Sequence, residues 1–121
     1  MSKLIILVAI LFGIFWVGSG ANGQGLYNLS GLCSSTDSVG AFQSLSGQER
    51  IDEYNSLVLE GRCSRQPQQV SSACELGVVE FRDRPWVMYR FVRVIGGYLY
   101  GATPMGSLQH AQARAWAPDS C

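Results

Sequence analysis

The sequence predicts a small α+β domain stabilised by disulfides. An amphipathic helix packs on a three- to four-stranded antiparallel sheet, preceded by an N-terminal hydrophobic signal or anchor helix. Three observations carry that expectation: an unbroken apolar run opens the chain, four cysteines lie beyond it, and a segment of helical period is followed by segments of period two. The 121 residues suffice for one domain. Hydrophobic residues make up 47% and charged residues 15%, too apolar for a disordered chain and too weakly charged for a nucleic-acid-binding tail. Nine Lys plus Arg balance nine Asp plus Glu, so no net field draws polyanions and nucleic acid is not an expected partner.

Met1-Ser2-Lys3 carries one positive charge, and Leu4–Val17 (LIILVAILFGIFWV) then has no polar side chain. Gly18-Ser19-Gly20-Ala21 follows, small throughout, with Ser19 and Ala21 spaced as a signal peptidase needs. This layout predicts a signal peptide over 1–21 with cleavage between Ala21 and Asn22. The rival reading is a retained anchor. A helix over Leu4–Val17 reaches roughly 21 Å at 1.5 Å per residue, short of a hydrocarbon core about 30 Å thick unless Gly18–Ala21 extends it. Contact with a membrane is expected only through residues 4–21, if uncleaved. Lys3 stays on the cytoplasmic side, so both readings place residues 22–121 outside, periplasmic, secreted or anchored.

Cys33, Cys63, Cys74 and Cys121 all follow the leader, and an even count in an exported domain reads as two disulfides. Three pairings are open. The preferred one is Cys33–Cys63 with Cys74–Cys121, tying the lead-in to a helix end and the C-terminal segment to the start of a sheet. Each closes a loop of about 30 to 48 residues, worth roughly 3 to 4 kcal/mol in the loop-entropy account. No C-x₂₋₄-C knuckle and no C-x-x-C occurs, so neither a zinc site nor a redox motif is expected, and no metal or cofactor is predicted.

Along the remaining chain, residues 22–45 read as a loop-rich lead-in and 46–121 as the folded domain. Ser46-Gly47-Gln48-Glu49 has the form of a capping box, with Leu45 at the staple position. Ile51, Tyr54, Leu57 and Val58 follow at helical spacing, and Gly61 is a natural stop, so Gly47–Glu60 is predicted helical. Arg62–Ser72 is a polar connector with room for a short edge strand near Gln68–Ser71. Leu76–Arg82, Trp86–Ile95 and Tyr98–Thr103 read as a three-stranded meander, turning at Asp83-Arg84-Pro85 and at Gly96-Gly97. In the central strand Trp86, Met88, Arg90, Val92 and Val94 share one face, and Val87, Tyr89, Phe91, Arg93 and Ile95 the other. Both faces are mostly apolar, so both need cover, one of them from Gly47–Glu60. Ser107 caps a last short helix over Leu108–Ala117 that Pro118 stops.

Arg82, Arg84, Arg90 and Arg93 stand among Trp86, Tyr89, Phe91, Tyr98 and Tyr100. Arginines and aromatics on a sheet stack on sugars and hold anionic groups, and they also form ordinary cross-strand pairs. The candidate ligand-binding set is Trp86, Tyr89, Arg90, Arg93, Tyr98 and Tyr100. Val78–Gly101 resembles the second half of bacterial SH3-like domains: turn-flanked Trp86 opens a strand, and a glycine turn leads to a strand ending in Tyr100-Gly101. The resemblance spans about a fifth of the chain and transfers no site residues.

No HExxH, GxSxG, P-loop or Rossmann fingerprint occurs, and His110 lacks a Ser, Cys or carboxylate constellation near it in sequence. No catalytic residue is therefore predicted. The expected function is an exported, non-catalytic binding or interaction module whose partner is an envelope component or another protein. Two alternatives stand beside it: a membrane-anchored accessory or envelope protein, as of a mobile element or virus, and a small hydrolase using His110.

Overall fold

The computed structural model describes residues 15–17 and 27–121. The expected leader helix and the cleavage point after Ala21 lie outside the described residues, except for Phe15–Val17, whose backbone is extended. Among the described residues no helix is long and apolar enough to cross a membrane.

The elements are β1 (Phe15–Val17), β2 (Tyr27–Ser30), α1 (Thr36–Gln43), α2 (Gly47–Leu59), β3 (Gln68–Phe81), β4 (Arg84–Arg93), β5 (Tyr98–Pro104) and α3 (Leu108–Trp116). β2 to β5 form a four-stranded antiparallel sheet in chain order, and β1 adds three residues outside β2. The α+β class, the antiparallel meander and the amphipathic helix stand as expected.

Four local expectations are corrected. The stretch read as a loop holds β2 and α1. The Ser35 hydroxyl accepts the Ser38 N–H at 3.1 Å to start α1, and Val39 and Phe42, three apart, bury its inner face. In α2 the Ser46 side chain makes no capping bond, because Gly47 follows it with φ 60 and redirects the chain into the helix. The short edge strand near Gln68 is the beginning of the fourteen-residue β3, flanked there by β2. The first turn is the two-residue Arg82-Asp83, both left-handed (φ 53 and 62), whereas the Gly96-Gly97 turn takes the four residues between Arg93 and Tyr98.

Bulges between Val70 and Ser72 and between Glu75 and Gly77 bend β3. The bend is needed. Strands spaced about 4.8 Å apart would put β2 and β5 about 14 Å apart in a flat sheet. Yet Cys33, three residues past β2, exchanges backbone hydrogen bonds with Tyr100 of β5 at 2.9 and 2.7 Å. Three residues reach only about 10 Å, so the sheet must curl.

The two faces bury separate cores, as the alternation in the central strand requires. On the front face α1 and α2 cover Trp86, Met88 and Ala102 with Val39, Phe42, Tyr54 and Leu57. Tyr54 also donates its hydroxyl to the Ser64 carbonyl at 2.5 Å, and burial pushes its pKa up to about 12. The concave back face encloses Leu29, Leu32, Val70, Val87, Tyr89 and Phe91, closed by Ala113 of α3 and by Trp116, which stacks on Phe91 at 6.1 Å. Each large side chain buried here contributes roughly 1.5–3 kcal/mol.

Both preferred disulfides form, and no cysteine is free. Cys33–Cys63 sits in the front core. Cys74–Cys121 lies at the open side of β3, where the C-terminal segment pairs with the strand: Glu75 N–H donates to the Asp119 carbonyl, and Cys121 N–H to that of Glu75. Two disulfides fit an oxidising, extracytoplasmic environment.

Candidate functional site

The helices cover only part of the front face. Cross-strand register puts Cys74, Arg90 and Tyr100 in one row and Ser72, Val92 and Tyr98 in the next, beyond the Trp86 and Met88 rows that the helices cover. Tyr98 is 53% exposed, and Arg90 and Tyr100 are half-buried. The Arg90 guanidinium carbon lies 4.5 Å from the centre of the Tyr98 ring. Register explains the contact: Arg90 is paired with Tyr100, so Tyr98 is its diagonal neighbour on the same face.

Arg90 has no carboxylate within ion-pair reach, since the one ion pair among the described residues is Arg62 with Glu60, and its Nε is buried without a hydrogen-bond partner. Beside it opens a cleft of about 570 Å³ lined by Glu75, Leu76, Gly77 and Ser120 together with the Cys74-linked Cys121. A second, of about 200 Å³, shares Leu76 and Gly77 and extends to Thr36 and Met88. The bulge makes this room. A Cβ added at Gly77 would meet nothing within 4 Å, and the backbone there has φ 137. The ledge presents a cation, a phenol face and an adjoining groove, a set suited to an anionic group attached to a flat or apolar body.

The candidate set predicted from sequence divides. Arg90, Tyr98 and Tyr100 meet on this ledge. Trp86 is 2% exposed and Tyr89 fully buried, so both are core residues, on opposite faces, with no surface to offer a ligand. Burial, reinforced by the Glu75 charge, pushes the Tyr89 phenol up to about 12. Arg93 points to the other face by alternation and donates Nη2–H to Gln68 Oε1 at 3.3 Å. His110 accepts the Gly106 N–H at Nδ1, 3.0 Å away, and closes the loop ahead of α3. Among the described residues no group of three or more His, Cys, Asp or Glu is placed to hold a metal ion.

Comparison with protein-family models, with curated proteins and with solved structures finds no match to this chain.

Proposed function

We propose that this chain is an exported, non-catalytic interaction module that holds its partner on the uncovered half of the front face. The observation that carries the reading is Arg90, stacked on an exposed tyrosine, with no carboxylate within ion-pair distance among the described residues, and open to a groove. A charge placed this way is available to a partner's anionic group, while the tyrosines supply flat apolar area at small entropic cost. The partner is an envelope component bearing such a group, a cell-wall glycan or a lipid head group, or another protein. The disulfides support an exported location, and the apolar Leu4–Val17 run supplies the route, cleaved after Ala21.

Capture of envelope material on the immobilised oxidised protein tests this. The double substitution Arg90→Ala and Tyr98→Ala should reduce capture about tenfold while leaving the far-UV spectrum unchanged. Capture equal to the native chain, or none by either, overturns the reading. A tethered form is the second reading, favoured by the same fourteen-residue apolar run. Resistance to carbonate extraction with Met1 or Ser2 intact selects it over the cleaved form.

A further inference from the structure

Lys3 is the sole lysine, so every fixed positive side chain after it is an arginine, and among the described residues only Arg62 has a carboxylate partner. Two of the others meet at the turn joining α1 to α2. Arg50, in the first turns of α2, donates Nε–H to the Leu45 carbonyl at 3.0 Å. Arg82, at the β3–β4 turn, donates Nε–H to the Gln43 carbonyl at 3.1 Å. The two carbonyls are two residues apart on one turn, so they hold the guanidinium groups as neighbours. Among the described residues both arginines hydrogen-bond through Nε alone, which leaves their terminal amino groups uncommitted there.

Each feature of this arrangement is unfavourable for a cation left alone. Arg50 is only 7% exposed, and burial first, then the charge of Arg82, lowers its pKa. It also lies near the positive end of the α2 dipole, where Ser46 supplies no capping acceptor. Arg82 occupies a left-handed backbone (φ 53) that asparagine or glycine adopts more easily. It is retained there with its guanidinium 5.8 Å from the Trp86 ring centre, facing the α1–α2 turn. A single oxyanion between the two guanidinium groups removes the repulsion and occupies the amino groups that both leave free. Fixing two guanidinium groups beforehand through Nε also lowers the ordering cost of binding.

We propose that Arg50 and Arg82 form a binding site for an oxyanion, a phosphate group, at the turn between α1 and α2. The site lies apart from the Arg90 ledge and does not depend on it. The phosphate comes either free in solution or on a lipid head group.

The test uses the oxidised chain titrated with inorganic phosphate while the arginine Nε–H signals are followed by NMR. Phosphate should shift the Arg50 and Arg82 signals together and leave Arg114, on α3, in place. Arg82→Asn keeps a residue that accepts the left-handed turn, so the chain stays folded, and it should weaken phosphate binding about tenfold by removing one charge-assisted partner. Arg84→Gln, two residues along the same hairpin, should leave binding within about twofold, serving as control. Co-sedimentation with phosphatidylglycerol and phosphatidylcholine vesicles separates the sources. Binding to phosphatidylglycerol alone that Arg82→Asn abolishes supports the lipid source, and phosphate uptake without vesicle binding the free one. Phosphate shifts spread over all the arginines, equal affinity in Arg82→Asn, or a folded chain that takes up neither phosphate nor vesicles overturns the site. The Arg90→Ala, Tyr98→Ala variant should still bind phosphate, so failure here is distinguishable from failure of the ledge.

Discussion

The two hairpins of the sheet end in opposite ways. At the β3–β4 turn two residues suffice, neither is glycine, and Arg82 reaches across to the end of α1 while lying over Trp86. At the β4–β5 turn four residues are needed, two are glycines, and Ile95 is 80% exposed. Local turn chemistry favours the second as the tighter hairpin, since Gly-Gly takes positive φ without strain. The reverse is found because the first turn, itself exposed, is anchored by Arg82 to the Gln43 carbonyl and over the Trp86 ring, contacts that outweigh a left-handed backbone, whereas among the described residues no side chain anchors the second. The same contrast separates the disulfides: Cys33–Cys63 is in the covered core, and Cys74–Cys121 stands at the open side.

The sharpest test sets the two ends against each other. Trp86→Ala, which empties the space beneath Arg82 and beside Phe81 (ring centres 5.6 Å apart), should cost about 3–5 kcal/mol in urea unfolding. Tyr98→Ala should stay within about 0.5 kcal/mol. Similar losses at both sites would erase the distinction.

Reduction should follow the same division. Mild reductant should open Cys74–Cys121 first, because Cys121 is exposed while Cys33 and Cys63 are 0% and 6% exposed. Alkylation followed by peptide mapping reads the order. Each bridge is worth up to about 4 kcal/mol by loop closure.

Alkali probes both cores together. Tyr54 and Tyr89 titrate at about 12 when folded, against an ordinary 10. A raised phenol pKa contributes stability that is full below pH 10 and is lost between about pH 10 and 12, where the unfolded chain releases its protons first. Urea midpoints should therefore fall from pH 9 to pH 11, and Tyr54→Phe should flatten the slope. An unchanged slope would remove Tyr54 from the account.

The smallest effects belong to the turns themselves. Gly97→Ala, at φ 85, should cost about 1 kcal/mol. Arg82→Asn should fall within about 0.5 kcal/mol, because relief of the left-handed arginine offsets loss of its bond to Gln43 and its contact with Trp86. Thermal midpoints of the two variants rank them.

Much of the frame was legible from residue spacing. Tyr54 and Leu57 mark the inner face of α2, and the strict alternation of Trp86–Arg93 assigns its side chains to two cores. α1 was hidden because eight residues with Gly40 inside give only Val39 and Phe42 as periodic signal. Ser35 two positions ahead of Asp37 was the local clue. The extent of β3 was obscured by Ser71 and Ser72, which tolerate exposure on a bent strand. Of the aromatic and arginine set, Arg90, Tyr98 and Tyr100 were placed together by register, but nothing local says that Trp86 lies under helices and Tyr98 does not. The Arg50–Arg82 pair was beyond reach, since its members belong to a helix and a turn that meet only in the folded molecule.

β3 outlasts its neighbours. β2 pairs with it only over Gln68–Val70, and the C-terminal segment touches it at Glu75. Past that point Val78 and Glu80 turn their amides outward, opposite residues of β4 that face the other way. Among the described residues nothing pairs with those amides, and an unpaired strand edge is a template for self-association. Opening Cys74–Cys121 would also free Glu75 from the C-terminal segment and lengthen that edge, so chains whose outer bridge has been opened should polymerise sooner than intact ones.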